Sequence, residues 1–312
     1  MNRKMLEGVA AGEFRAVARL ITLVESESPE AVPYLRELYP RTGRCLSVGI
    51  TGSPGAGKST LVDRLAGHYR GAGKKVGIIA VDPSSPFTGG AILGDRIRMQ
   101  SRSLDPGTFI RSMATRGHLG GLAGATGDVL LVLDAAGFDV VLIETVGVGQ
   151  DEVEVARTAQ ITLVLLVPGM GDDIQAMKAG IMEIGDVFVI NKADHAGVER
   201  IEAELGALLS ITCRKDGWKP AVVKTVASEG KGIEECARAV ESWREQQKQS
   251  DFQRDKAVRI QRERLLDLAR TEILRRLMRQ PGASERLDAL AHRLADREID
   301  PYSAVEELLG KP

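Results

Sequence analysis

The sequence predicts an α/β fold in which a doubly wound, mostly parallel sheet is built around a phosphate-binding loop. A short apolar strand, Leu46–Thr51, leads into the motif Gly52–Thr60 and then into the start of a helix. Further apolar runs of strand length recur along the chain, and helical stretches separate them. A second nucleotide-binding motif, Asn191–Asp194, directly follows one of these strands.

The first motif matches the pattern G-x-x-x-x-G-K-[ST] at every fixed position. In such a loop the glycines let backbone N–H groups turn around a phosphate, and the helix start adds partial positive charge. We expect Lys58 to reach the β- and γ-phosphates and the Ser59 hydroxyl to bind Mg²⁺. The residues expected to line the nucleotide are Gly52, Ser53, Pro54, Gly55, Ala56, Gly57, Lys58, Ser59 and Thr60.

Seven apolar segments predict the strands of the sheet. They are Leu46–Thr51, Val76–Val81, Thr108–Met113, Val140–Glu144, Ile161–Val167, Val187–Ile190 and Ala221–Val226. Several are continuous rather than alternating, which is typical of parallel strands covered on both faces. Sheets of this kind bind ligands at the carboxyl ends of their strands.

Helical segments flank the predicted sheet on both sides. Residues 5–40 have helical spacing, with a second short helix after Pro33. From about Ile233 the pattern is helical, and the apolar side of Arg254–Arg279 must pack on the sheet domain or on another subunit. The predicted domains are a helical extension (1–43), a P-loop domain (44–245) and a C-terminal helical region (246–312).

Composition narrows the class of protein. The 312 residues carry 42 Lys and Arg against 43 Asp and Glu, a net charge of −1 that gives no indication of nucleic acid or an anionic membrane as partner. Cys45, Cys213 and Cys236 are far apart, which favours free thiols in a reducing compartment. Without a long apolar run or a secretory signal, the expectation is a soluble cytoplasmic protein.

The motif Asn191-Lys192-Ala193-Asp194 predicts guanine as the base. The Asp194 carboxylate can accept hydrogen bonds from both the N1–H and the 2-amino group of guanine, and adenine offers neither; discrimination on the order of 10⁴-fold follows. We expect Asn191 to tie this loop to the P-loop and the Lys192 stem to lie along the base. Ala227 and Ser228, after the last strand, are candidates for a backbone contact to the guanine 6-oxo group.

Three acidic residues are candidates for Mg²⁺ and γ-phosphate chemistry, although each could instead be a helix cap or a solvated loop acid. They are Asp82, Asp95 and Glu144, and the first and last end predicted strands. The usual GTPase signature is D-x-x-G followed by glutamine. Here Glu144 replaces the aspartate and Val148 follows Gly147, so no glutamine is placed to orient the attacking water and intrinsic hydrolysis should be slow.

Four segments resemble the MeaB/ArgK-like G proteins, a group with a SIMIBI-type G domain. They are Val81–Ser85, Ile92–Arg96, Glu144–Gln150 and Pro168–Lys178. The resemblance covers nearly the whole chain. It implies a GTPase chaperone that gates delivery of adenosylcobalamin to an acyl-CoA mutase such as methylmalonyl-CoA mutase and protects that enzyme, the cobalamin being the partner's cofactor.

The same resemblance implies roles for particular residues. Pro168–Lys178 matches a segment called switch III, which couples nucleotide state to the partner, and Lys178 is its terminal lysine. Asp82, Asp95 and Glu144 fall on the magnesium and switch acids. Together with Lys58 of the P-loop motif, Glu144 and Lys178 are the predicted catalytic residues. The C-terminal helices correspond to a dimerisation arm, which predicts a homodimer.

Two other classes of protein share features of this pattern. A nickel-insertion GTPase has a similar sheet but carries clustered cysteine and histidine, whereas His68, His118 and His195 have no neighbouring cysteine. A P-loop small-molecule kinase would need an arginine-rich lid, and the guanine motif would have no role in it. Comparing ATP with GTP hydrolysis separates the kinase from the GTPase.

Overall fold

The computed structural model describes residues 2–83, 104–115, 121–145, 155–156, 158–169, 182–211, 217–248 and 251–310. The chain forms two compact units, Met1–Ile260 and Gln261–Pro312. Among the helices in the described ranges, none is long and apolar enough to cross a membrane.

A seven-stranded sheet forms the centre of the first unit. Its strands are β1 (Leu46–Gly52), β2 (Val76–Pro83), β3 (Thr108–Thr115), β4 (Val140–Glu144), β5 (Ile161–Leu166), β6 (Val187–Asn191) and β7 (Ala221–Thr225). They lie in the order β3-β2-β4-β1-β5-β6-β7, and all neighbouring strands are parallel. The predicted α/β fold is confirmed, and each predicted strand is present with its ends shifted by at most two residues.

Helices of the first unit cover both faces of this sheet. The described helices are α1 (Arg3–Ala10), α2 (Phe14–Glu25), α3 (Ala31–Leu38), α4 (Lys58–Gly71), α5 (Gly121–Ala135), α6 (Met182–Ile184), α7 (Val198–Ile211), α8 (Ile233–Lys248), α9 (Asp251–Met278), α10 (Ala283–Ala295) and α11 (Pro301–Leu309). Helices α4 and α8 share a core with one face, whereas α1, α2, α3 and α5 share a core with the other. Strands β1, β4, β5 and β6 are consequently buried along their whole length, which explains why apolar residues predominate in them.

The N-terminal extension consists of three helices where the spacing predicts one long and one short helix. The first break is at Gly12, whose φ of +76° is left-handed and whose added Cβ would lie 2.9 Å from the Ala136 carbonyl oxygen. Helix α3 begins at Ala31, two residues before Pro33, because proline is tolerated in a first helical turn. Arg111 on β3 forms an ion pair with Glu25 on α2, so this extension is bound to the sheet by charge as well as by apolar packing.

The parallel strands bring the functional segments to one edge of the sheet. Strand β1 lies between β4 and β5, with Ile50 opposite Glu144 and Gly52 opposite Leu165. Strands β6 and β7 pair next to β5, and Asn191 is opposite Thr225 at their ends. The P-loop, Glu144 and the Asn191–Asp194 motif therefore lie at the carboxyl ends of β1, β4 and β6, on the same edge of the sheet, as expected for this class of sheet.

The C-terminal helices carry exposed apolar side chains. On α9, Leu265 is 68% exposed and Ile273 is 61% exposed, and Val258 is also exposed. Within the second unit, α10 and α11 are joined by an ion pair between Arg293 and Glu307 at 2.8 Å. The expectation that the apolar side of Arg254–Arg279 needs a partner thus stays a prediction.

Candidate nucleotide-binding site

The P-loop has the backbone geometry of a phosphate cradle. Gly52, Gly55 and Gly57 have φ values of +142°, +77° and +91°, a region that side chains rarely tolerate. An added Cβ at Gly52 would lie 2.4 Å from the Leu165 carbonyl oxygen, and at Gly57 it would lie 2.4 Å from the Asn191 amide nitrogen. Helix α4 starts at Lys58 without a side-chain cap, so its first backbone N–H groups and its dipole favour an anion at this end.

The Lys58 side chain contacts the backbone of this loop. Its Nζ donates hydrogen bonds to the carbonyl oxygens of Gly52 at 2.7 Å and Ser53 at 2.9 Å, and the residue is only 6% exposed. Pro54 and Ala56 complete the loop, and Ala56 is fully buried. The ammonium is therefore held beside the loop that would surround the phosphates, as a P-loop lysine requires.

Two residues of the predicted magnesium site, Ser59 and Glu144, have described side chains. The Ser59 hydroxyl donates a 2.6 Å hydrogen bond to Glu144 Oε1, and Glu144 is 4% exposed at the end of β4. A hydroxyl and a carboxylate are hard oxygen donors of the kind that Mg²⁺ prefers, so this pair fits the ion. The backbone of Asp82 lies on β2, next to β4 and two positions beyond Ala80, which pairs with Glu144.

Several predicted residues lie outside the residues whose side chains are described. They are the Asp82 side chain, Asp95, Gly147–Gln150 and Lys178. Their roles stay predictions. Within the described ranges, no group of three His, Cys, Asp or Glu side chains is arranged to hold a metal ion.

Asn191 joins the base-recognition loop to the P-loop. Its Nδ2 donates to the Ala56 carbonyl oxygen at 2.8 Å, while its Oδ1 accepts from Thr225 Oγ1 at 3.0 Å and from the Ala227 N–H at 3.1 Å. The side chain is 3% exposed, and buried hydrogen bonds of this kind fix geometry because an unpaired group would be costly. The expected link between Asn191 and the P-loop is present, and the structure extends it to β7.

The rest of the motif turns toward solvent. Lys192 has a left-handed backbone with φ of +56°, and the Ala193 N–H donates to the Thr225 carbonyl oxygen at 3.0 Å. The Asp194 side chain is 51% exposed, with His195 Nε2 3.7 Å from its Oδ2. A carboxylate placed in this way is accessible to an incoming base, as the guanine assignment requires.

Two residues of this site were missed by sequence reasoning. Thr225 buttresses Asn191 as described above, and Arg64 on α4 contacts the turn Ala227–Glu229, which contains Ser228. Arg64 Nε donates to the Ala227 carbonyl oxygen at 3.1 Å, and one of its terminal nitrogens donates to the Ser228 carbonyl oxygen at 2.6 Å. No local pattern marks either residue, because the Arg64 contact joins residues 163 positions apart.

Glu144→Gln tests the magnesium assignment. Glutamine can still accept the Ser59 hydrogen bond, but it removes the negative charge that favours a divalent cation. We expect the Mg²⁺ concentration for half-maximal GTP hydrolysis to rise about tenfold or more, as for other changes around a metal site. A magnesium titration measures this, with Glu202→Gln as a matched control because Glu202 instead pairs with Lys224 at 2.9 Å. Equal magnesium dependence in Glu144→Gln and wild type would contradict the assignment.

Comparison with known proteins finds relatives that are named as GTPases. The family described as methylmalonyl-CoA mutase-associated GTPase MeaB matches residues 17–282. A Pyrococcus abyssi protein provisionally named a GTPase is 48% identical over 99% of this chain and 96% of its own length. A Caenorhabditis elegans homolog of methylmalonic aciduria type A protein, named as mitochondrial, is 32% identical over 98% of this chain and 82% of its own. A crystal structure named LAO/AO transport system kinase has a TM-score of 0.73 at 29% identity, covering 98% of this chain and 95% of that one.

A P-loop on β1 and a guanine-type motif joined to it through Asn191 define the class of protein as a P-loop GTPase. The family match extends over most of the chain, from within α2 to the end of the long helix α9 and slightly beyond. The chain belongs to the MeaB family of methylmalonyl-CoA mutase-associated GTPases.

Proposed function

We propose that this GTPase is a chaperone of an adenosylcobalamin-dependent acyl-CoA mutase, such as methylmalonyl-CoA mutase. In this role its nucleotide state gates delivery of the cofactor to the mutase and protects the enzyme. The observation that carries the proposal is the family match over residues 17–282, since that family is described as mutase-associated. The name of the Caenorhabditis elegans relative also points to methylmalonate metabolism.

Different groups of the site are proposed to bind the phosphates and the base of GTP. The P-loop N–H groups and Lys58 would hold the phosphates, while Asp194 would select the base. Mg²⁺, when bound at Ser59 and Glu144, would neutralise charge that develops on the phosphates. Because Asn191 bonds to Ala56 and Ala227 together, a shift of the P-loop would be transmitted to the guanine loop.

Hydrolysis is proposed to be slow until a partner acts. The sequence places Val148 where many GTPases have the glutamine that orients the attacking water. A partner that contacts the segments around Gly147 and Lys178 would supply this missing alignment. Nucleotide state would then report whether the mutase is engaged, which is the behaviour of a switch.

The protein is proposed to act as a homodimer through its C-terminal region, residues 246–312. Support comes from α9, where Val258, Leu265 and Ile273 are exposed on one helix, since apolar surface grouped in this way marks interaction sites. We also propose a reducing, cytoplasmic location. Cys45 and Cys236 are buried free thiols, and burial raises the pKa of Cys236 to about 12, which keeps it protonated and unreactive.

The test is GTP hydrolysis with and without a purified adenosylcobalamin-dependent mutase. We expect the mutase to raise the rate roughly tenfold or more, which needs only about 1.4 kcal/mol of added transition-state stabilisation. The same measurement with ATP should show no comparable rise. An acyl-CoA enzyme that does not use cobalamin serves as the control protein.

The outcomes separate the parts of the proposal. A slow GTPase rate that no cobalamin-dependent mutase changes would remove the proposed partner but leave the class of enzyme intact. Stimulation by the control enzyme as well would remove the specificity. Faster hydrolysis of ATP than of GTP would contradict the guanine assignment itself.

A further inference from the structure

Arg64 links the helix that begins at the P-loop to the turn that follows β7. It lies on α4, six residues after Lys58, and its guanidinium donates to two consecutive carbonyl oxygens, those of Ala227 at 3.1 Å and Ser228 at 2.6 Å. A planar guanidinium presents donors in a fixed fork, so it can hold two neighbouring peptide groups in one orientation. Lysine, with a single flexible ammonium, cannot do this.

The buried side chain of Asn191 contacts the same turn. The Ala227 N–H donates to Asn191 Oδ1 at 3.1 Å, and the Glu229 N–H donates to the Val226 carbonyl oxygen at 3.0 Å. The N–H groups on either side of Ser228 are therefore taken by protein acceptors. This leads us to assign the Ser228 N–H to the nucleotide base.

We infer that Arg64 is a positioning residue for guanine specificity, acting through the Ser228 N–H on the 6-oxo group of the base. The inference rests on the proposed binding of guanine nucleotides. The Ala227 carbonyl and the Ser228 N–H belong to the same peptide unit, which is planar and trans, so fixing the carbonyl also fixes the direction of the N–H. A hydrogen bond from a cation to that carbonyl also polarises the unit and makes its N–H a stronger donor.

This arrangement discriminates at a position that Asp194 does not read. Asp194 can accept from N1–H and the 2-amino group, whereas a donor at the 6-position favours the oxo group of guanine and opposes the amino group of adenine. Arg64 therefore supplements Asp194 from the other end of the base. Loss of Arg64 should therefore change the relative affinity only of nucleotides that differ in the group at the 6-position.

The test compares GDP with 6-thio-GDP in wild type, Arg64→Met and Arg64→Lys. The thio analogue keeps the N1–H and the 2-amino group but replaces the 6-oxo oxygen by sulfur, a weak acceptor. Wild type should bind GDP about threefold to tenfold more tightly, the usual worth of one hydrogen bond. Arg64→Met should weaken GDP binding by a similar factor and 6-thio-GDP binding much less, so that the preference approaches one, with Arg64→Lys in between. Arg238→Met, which removes a surface arginine that pairs with Glu235 on α8, is the matched control.

Each result is decisive. Equal loss of affinity for both nucleotides in Arg64→Met would reduce Arg64 to a structural tether and overturn the inference. No loss for either, or a wild type that does not distinguish them, would overturn it as well. Failure of wild type to bind GDP at all would overturn the proposed function, an outcome that is distinct from these because it precedes any comparison of variants.

Discussion

Asp194→Ala is expected to remove most of the preference for guanine nucleotides, leaving only the smaller contribution of the 6-position. The carboxylate would accept two hydrogen bonds from the base, and a site built on such a charged pair discriminates by several kcal/mol, on the order of 10⁴-fold. Alanine removes both acceptors, so GTP binding should weaken toward the level of ATP. Equilibrium binding of GTP and ATP to wild type and variant measures this ratio.

Asp194→Asn tests the same assignment through a change of base preference. An asparagine amide can donate to the 2-oxo group of xanthine, where guanine has an amino group, so the variant should favour xanthosine nucleotides over GTP. His195 is the neighbour of Asp194, at 3.7 Å, and His195→Ala serves to measure how much of any change comes from that contact. Unaltered GTP preference in both Asp194 variants would show that another residue reads the base.

Lys58→Ala is expected to remove GTP hydrolysis almost completely. The ammonium is held at the P-loop mouth by the Gly52 and Ser53 carbonyl oxygens, where it would face the β- and γ-phosphates. Loss of one positioned donor at a developing charge typically costs about 10²–10³-fold in rate, and a full positive charge at a phosphoryl group should lie at the upper end. Single-turnover hydrolysis at saturating GTP measures the chemical step separately from binding.

Lys219→Ala is the matched control, because it removes an exposed lysine elsewhere on the first unit. Thermal unfolding of both variants shows whether either change acts through stability. A Lys58→Ala variant that folds normally and retains wild-type turnover would place the catalytic charge on another residue. In that event Lys178, which the sequence also predicts as a catalytic lysine, is the next residue to test, by Lys178→Ala.

Much of this site could be predicted because its signals are local. The P-loop is a run of nine residues between a strand and a helix, and the strain that its glycines relieve is a property of their own φ angles. Strands β1, β4, β5 and β6 were found for a similar reason, since burial on both faces produces mainly apolar runs that a short window of sequence reveals. The pairing of Ser59 with Glu144 agrees with the magnesium prediction but was not itself predictable, because it depends on β1 and β4 being neighbours.

The N-terminal helices show where local reasoning fails. Apolar spacing over residues 5–40 is helical almost throughout, yet the chain turns at Gly12 because α1 and α2 must both reach the core beside α5. Helix propensity is weak compared with the burial of an apolar face, so packing decided where the helix ends.

The amino-acid sequence by itself determined the class of fold, the phosphate-binding loop and the guanine-type motif, because each depends on residues close together in the chain. Only the tertiary structure decided how these parts meet. Asn191 reaches Ala56 across 135 residues, and Arg64 reaches Ser228 across 164, contacts that exist because strand order places β6 and β7 on the same side of β1. Strand order and register follow from the free energy of the whole core, to which hundreds of residues contribute, and no short segment contains that information.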